Sequence, residues 1–112
     1  MPRTAWATEG WATGNAGCGS GPDRADRIQA LVVHHTDTTN DYTQAQVPAQ
    51  IQGFYDFHTG PEKGWPDVAY NFFVDRYGGV WEGRQGSLAG AVRGDATGGS
   101  QGFSQLCSLV GN

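Results

Sequence analysis

The chain has 112 residues, which suits one domain built around a single hydrophobic core. Seven basic side chains against eleven acidic ones give a formal charge of -4, which excludes the basic surface that nucleic-acid binding requires. No apolar run is long enough to cross a bilayer and the first residues lack a secretion-signal pattern, so the chain as written is expected to be soluble.

Residues 1–26 come first, and they contain few branched aliphatic side chains and many small ones. The stretch 14–22 is the poorest in apolar surface, so we predict a loop-rich N-terminal arm. Cys18 lies in this arm, and Cys107 lies near the other end of the chain. The two could form a disulfide in an exported protein or remain two buried thiols in a cytosolic one.

The apolar run Ala30-Leu31-Val32-Val33 follows and contains β-branched residues. It predicts a buried strand that ends at His34-His35-Thr36. Successive side chains of a strand point to opposite faces, so at most one of the two histidines is expected to reach a given metal ion. By itself this pair is weak evidence for a metal site.

Apolar side chains then recur at helical spacing, which predicts the clearest helix of the chain, ended by Gly60-Pro61. Pro48 fits only the first turn of this helix, and Gly53 inside it costs about 1 kcal/mol relative to alanine. The apolar stripe consists of Val47, Ile51, Phe54, Tyr55 and His58.

Alternating side chains over residues 68–75, the pair Gly78-Gly79 and the run Val80-Trp81-Glu82 predict a β-hairpin. The alternation places Tyr70 on one face with Phe72 and Val74, where the pattern alone favours a core residue. The opposite face carries Asn71, Phe73 and Asp75.

The last third of the chain begins with residues 83–102, which are rich in Gly, Ser and Ala. They predict a long loop, either functional or loose. Glu82 and Arg84 at its start are interpreted as an ion pair or as solvated charges. Residues 106–110 predict a final strand, and the chain has no internal repeats.

The central segment resembles a known family. Residues 64–75, GWPDVAYNFFVD, followed by residues 78–85, GGVWEGRQ, are similar to the central signature of peptidoglycan-recognition proteins and their zinc amidase relatives. The His-His-Thr strand and the helix ending in His58 precede this signature in the order that the family uses. Arg3 with Trp6 resembles the family's N-terminal Arg-Trp motif, so the resemblance covers about residues 1–91.

The resemblance implies an α/β fold in which helices flank a mixed central β-sheet, in a single domain over residues 1–112. Because family members continue into further helices, the chain looks truncated at its C-terminus. The family fold also implies a groove with zinc at its bottom that holds the peptide stem of peptidoglycan. We accordingly expect zinc as cofactor, peptidoglycan or a muropeptide as partner, a monomer, and a secreted or cell-envelope location.

Carried over residue by residue, the resemblance makes His34 the first zinc ligand and Tyr70 a catalytic residue. Zinc would polarise the amide carbonyl and acidify a bound water, and a phenol can donate a hydrogen bond to the developing oxyanion. The substrate-binding positions that it implies are Thr36, His58, Trp65 and Asn71. Two other readings stay open: His58 could border the apolar stripe, and Trp65, like Trp81, could pack in the core.

The implied zinc set is incomplete in this sequence. Where the resemblance implies a second zinc histidine in a Gly-Ala-His sequence, this chain has Gly90-Ala91-Val92. Valine cannot bind a metal ion. The third ligand, a cysteine or aspartate, has no clean match, and Asp95 and Cys107 are weak substitutes.

Three functions therefore stay open. The leading expectation is an N-acetylmuramoyl-L-alanine amidase that cuts the amide between N-acetylmuramic acid and L-alanine, and His34 and Tyr70 favour it. Its zinc sphere would be completed by a carboxylate of the Gly-rich loop and water, or by residues beyond Asn112. The alternative is a zinc-free recognition module, which Val92 favours. The early stop favours a third function, a fragment that contributes a sheet to a larger assembly.

Overall fold

The computed structural model describes residues 1–15, 19, 21–96 and 102–112. Cys18 lies outside the described residues, and so does any disulfide that it would form with Cys107. Along the described residues the strands are β1 (Ala30–His35), β2 (Phe72–Val74), β3 (Val80–Glu82) and β4 (Ser104–Leu109), and the α-helix is α1 (Val47–Thr59). Short 3₁₀ turns span Arg3–Ala5 and Gln44–Gln46.

The four strands form one mixed sheet in the order β1-β4-β2-β3. Strand β4 runs parallel to both β1 and β2, while β2 and β3 form the predicted antiparallel hairpin. Gly78 has a φ of 86°, a left-handed conformation that glycine adopts at little cost in a tight turn. The hairpin is shorter than predicted because pairing starts at Phe72 rather than at residue 68. The predicted α/β fold with a mixed central sheet is confirmed.

Helix α1 covers one face of the sheet, as its apolar stripe predicts. Pro48 lies in its first turn and Gly60 caps its C-terminus, both at the predicted positions. Phe54 stacks on Phe73 of β2, with ring centroids 5.7 Å apart. No helix among the described residues is long and apolar enough to span a membrane. The buried side chains of α1 are Val47, Ile51 and Tyr55.

Strand β1 differs from the predicted buried strand. It lies at an edge of the sheet, and Leu31 and Val33 are 62% and 57% exposed. Val32 and His34 point to the other face and are half-buried. The prediction was wrong because an apolar run shows only that a strand can be buried on both faces, whereas among the described residues only one face of β1 is well covered.

The N-terminal arm is irregular, as predicted, but its first residues are packed into the domain. Trp6 is buried and donates from Nε1 to the carbonyl oxygen of Glu82, 2.6 Å away. Arg3 donates from Nη1 to both carboxylate oxygens of Asp67, at 2.8 and 2.7 Å. One aromatic ring and one ion pair thus attach a segment that is otherwise poor in apolar side chains.

Glu82 and Arg84 are both buried, so the interpretation as solvated charges is wrong. The Glu82 carboxylate accepts hydrogen bonds from the backbone N–H groups of Arg3 and Leu88, each at 2.9 Å. Arg84 donates to the carbonyl oxygen of Val68 at 3.2 Å. These buried charges attach the start of the long loop to the sheet. The described part of that loop, residues 83–96 and 102, contains no helix or named strand.

Candidate functional site: a groove beside the helix

A groove of about 520 Å³ opens beside α1. Its walls come from the segment after β1, from α1, from the connection between α1 and β2, and from the long loop. A concave, largely apolar surface with a few polar groups is typical of a ligand site. The lining residues are Thr36, Thr38, Phe54, Phe57, His58, Lys63, Trp65, Ala69, Tyr70, Asp95 and Ala96.

Aromatic rings in contact run along one side of the groove. The His58 ring centroid lies 5.0 Å from that of Trp65 and 6.1 Å from that of Tyr70. Tyr70 in turn meets His34 edge-on, with the centroids 5.6 Å apart. The groove therefore joins predicted site residues from the segment after β1, from α1 and from the segment before β2.

His58 is held at the end of α1 by two backbone contacts. Its carbonyl oxygen accepts a hydrogen bond from the N–H of Trp65 at 2.9 Å, and its ring Nδ1 accepts one from the N–H of Ala69 at 3.2 Å. Burial, with the positive charges of Lys63 and Arg84, lowers the pKa of His58 to about 4. The imidazole is therefore neutral at pH 7.

The contact with Ala69 also fixes the tautomer of His58. Because Nδ1 accepts a hydrogen bond, the single proton of the neutral ring sits on Nε2. A histidine that binds a metal through Nε2 normally donates its Nδ1–H to a partner. His58 is therefore arranged to donate a hydrogen bond to a ligand rather than to hold a metal, which agrees with the substrate-binding role predicted for it.

The lowered pKa of His58 predicts a dependence of stability on pH. Its folded-state pKa lies below the unfolded value of about 6.5, so its contribution is complete above pH 6.5 and is lost as the pH falls toward 4. Urea unfolding between pH 7 and 4 should show a loss on the order of 2 kcal/mol that His58→Gln removes. His35→Gln, at the exposed histidine, is the control. A parent-like pH profile in His58→Gln would contradict the assignment.

His34 and His35 face opposite sides of the sheet, as the alternation predicts. Only His34 lies on the Tyr70 side, since its ring contacts that of Tyr70. Its cross-strand neighbour on this face is Ser108 of β4. Within the described part of the chain, no three His, Cys, Asp or Glu side chains come close enough together to hold a metal ion. The described residues therefore do not fit a protein-ligated zinc centre, and zinc remains a prediction.

Val92, at the position of the missing histidine, and the two weak substitutes, Asp95 and Cys107, lie in different places. Val92 is 3% exposed and packs near Gly86, so a histidine at this position would enter the core and not the groove. Cys107 pairs with Val33 and therefore lies on the sheet face opposite His34, which corrects its candidacy as a ligand. Asp95 lines the groove.

Thr36, His58, Trp65 and Tyr70 come together in the groove, whereas Asn71 does not. Asn71 is completely buried, and its Nδ2 donates to Ser87 Oγ at 3.1 Å and to the carbonyl oxygen of Val92 at 2.9 Å. Its Oδ1 accepts from the N–H of Leu106 at 2.8 Å. The substrate-binding role predicted for Asn71 is therefore corrected to a structural one, since its amide connects β4 to the long loop.

Phe57 and Lys63 are among the groove residues that the sequence analysis missed. Phe57 is half exposed and lies one position before His58 on α1, so helical periodicity beyond the core stripe could have indicated it. Lys63 places its Nζ 5.1 Å from the Trp65 ring centroid and 5.8 Å from that of Phe57. No pattern in the sequence indicated Lys63, because it lies in an irregular connection.

No protein-family model matches the chain. Among curated proteins, it is similar to peptidoglycan-recognition protein SC1a of Drosophila melanogaster, with 36% identity over 64 residues that cover 57% of this chain and 34% of the relative. It is also similar to peptidoglycan recognition protein 1 of Bos indicus, with 37% identity over 67 residues that cover 60% of this chain and 35% of the relative. The chain thus matches about a third of the length of these relatives.

Solved structures show the same likeness in three dimensions. Bumblebee PGRP-SA superposes with a TM-score of 0.79 at 25% identity, over 100% of this chain and 60% of that one. Peptidoglycan recognition protein LE, solved in complex with tracheal cytotoxin, superposes with a TM-score of 0.77 at 26% identity, over 99% and 59%. The sequence relatives and the structural neighbours therefore both support assignment of the chain to the peptidoglycan-recognition protein family.

Proposed function

We propose that the groove binds the peptide stem of a muropeptide. The observation that carries this proposal is the convergence of Thr36, His58, Trp65 and Tyr70 on one groove, although they come from three separate parts of the chain. The relative PGRP-LE is solved with tracheal cytotoxin, a monomeric diaminopimelic acid-type peptidoglycan. That complex supports a ligand of the same class here.

The chemistry of the groove suits a ligand with both apolar and polar parts. Trp65 offers a ring face for stacking against a sugar or a side chain, and the Nε2–H of His58 offers a donor to a peptide carbonyl. Lys63 and Asp95 place one charge of each sign on the groove walls. A volume of about 520 Å³ also lies within the usual range for small-molecule sites.

Trp65→Ala tests this proposal directly. Removal of a central aromatic contact should weaken muropeptide binding by roughly tenfold or more, because such rings dominate binding energy at ligand surfaces. Calorimetry on chelator-treated protein measures the affinity without any contribution from a metal. Phe103→Ala removes an exposed aromatic ring that does not line the groove, and it should leave affinity unchanged. Equal affinity in both variants would place the binding site elsewhere.

Amidase activity is a second candidate function, favoured by the edge-on contact of Tyr70 with His34. Tyr70 lines the groove, so its phenol can donate a hydrogen bond to the carbonyl oxygen of a bound stem peptide. His34 is the predicted zinc ligand, and no group of three possible metal ligands is present among the described residues. What we propose for the chain's own residues is therefore limited to oxyanion stabilisation by Tyr70.

A further inference from the structure

Ser108 lies at the centre of the sheet, on the face that carries the groove. It is completely buried, and among the described residues its hydroxyl has no hydrogen-bond partner of standard geometry. A buried hydroxyl without a partner costs about 1–3 kcal/mol relative to its hydrated state. Buried polar groups in native proteins nearly always have a hydrogen-bond partner, so the side chains that cover the Ser108 hydroxyl are the place to look for one.

The sheet register shows what covers Ser108. Its cross-strand neighbours are His34 on β1 and Phe73 on β2. The Tyr70 ring contacts both of these neighbours edge-on, with centroids 5.6 Å from His34 and 5.7 Å from Phe73. Tyr70 therefore lies over Ser108.

The electrostatics of Tyr70 agree with this placement. Burial raises the pKa of the Tyr70 phenol, and the Ser108 hydroxyl acts in the opposite direction. Tyr70 also lines the groove, so it forms a layer between Ser108 and any bound ligand.

We infer that Ser108 is a positioning residue, whose hydroxyl forms a hydrogen bond with the Tyr70 phenol from beneath and holds that phenol toward the groove. Ser108 itself is sealed from the groove and would touch no ligand. The inference deepens the proposed function, on which its effect on ligand binding rests. It concerns the orientation of one side chain and applies whether or not the bound peptide is cut.

A double-mutant cycle with muropeptide calorimetry tests the inference. Ser108→Ala should weaken affinity by about three- to tenfold in the parent, and by less than twofold in the Tyr70→Phe background, because the loss acts through the phenol. Ser104→Ala removes an equally buried hydroxyl from the same strand, and its effect should be the same in both backgrounds. An equal loss from Ser108→Ala in the two backgrounds would overturn the inference.

A second measurement decides the same question without a ligand. In ¹³C-tyrosine-labelled protein near pH 7, the Tyr70 ζ-carbon resonance is identified by its disappearance in Tyr70→Phe. Ser108→Ala should shift that resonance and Ser104→Ala should not, since only Ser108 lies under the phenol. An unmoved resonance in Ser108→Ala would overturn the inference. If the parent binds no muropeptide while the resonance shifts, the proposed function fails and the contact of Ser108 with Tyr70 stands.

Discussion

Replacing Tyr70 by phenylalanine should lower the rate of stem-peptide release by roughly 10²–10³ if the chain is an amidase, while muropeptide affinity falls only by the contribution of one hydrogen bond, about 0.5–1.5 kcal/mol. The substitution keeps the ring and its contacts with His34 and Phe73, and removes only the hydroxyl. That hydroxyl matters most when negative charge develops on the carbonyl oxygen. Turnover, affinity and melting temperature measured on this one variant give the result, with zinc content determined on the same samples.

Other outcomes for Tyr70→Phe identify other functions. A chain that only binds has no rate to lose, and the loss of affinity should stay near one hydrogen bond, about 0.5–1.5 kcal/mol. If the phenol serves packing alone, only the melting temperature should change. A large decrease in melting temperature with normal turnover would contradict a catalytic role for Tyr70.

Replacing Asp67 by alanine should lower the free energy of unfolding by about 3–5 kcal/mol, because it leaves the guanidinium of Arg3 buried without its counter-ion. Asp67 is completely buried and accepts hydrogen bonds from Arg3 Nη1 and from the N–H groups of Val68 and Gln85. Burial raises the pKa of Asp67, and Arg3 with these backbone donors offsets part of that rise. Urea denaturation at pH 7 measures the loss.

Two controls separate the charge of Asp67 from its packing. Asp41→Ala removes an exposed carboxylate and should change stability by less than about 0.5 kcal/mol. The double replacement Arg3→Met with Asp67→Leu removes both charges and should recover much of the stability that Asp67→Ala loses, since no unpaired charge then stays buried. Equal effects of Asp67→Ala and Asp41→Ala would contradict the proposed role of the ion pair.

For the loop-rich N-terminal arm, composition predicted the backbone but not the side-chain contacts. Its lack of branched aliphatic residues correctly predicted an irregular backbone. It could not show that Arg3 would pair with Asp67, 64 positions away, or that the Trp6 indole would donate a hydrogen bond to the Glu82 carbonyl oxygen. Each of these two contacts is made by a single side chain, and composition averages over such contacts.

The candidate site was also only partly predictable from the sequence. The resemblance brought Thr36, His58, Trp65 and Tyr70 to attention, and all four line one groove. It also indicated Asn71, whose amide instead forms hydrogen bonds with the long loop and with β4. A motif marks a segment as belonging to a site, but it does not show which of its side chains line the groove and which are buried in the domain.

Features with a local physical cause could be predicted from the residues alone: the helix from its apolar spacing and Pro48, the hairpin from its alternation and its glycine pair, and the opposite directions of His34 and His35. The tertiary structure alone decided which faces are covered and which distant residues meet. Strand β4 pairs with β1 across more than 70 positions, and that pairing places Ser108 beside His34 and Cys107 on the far face. Periodicity reports which side chains share a face. Only long-range packing decides what that face meets.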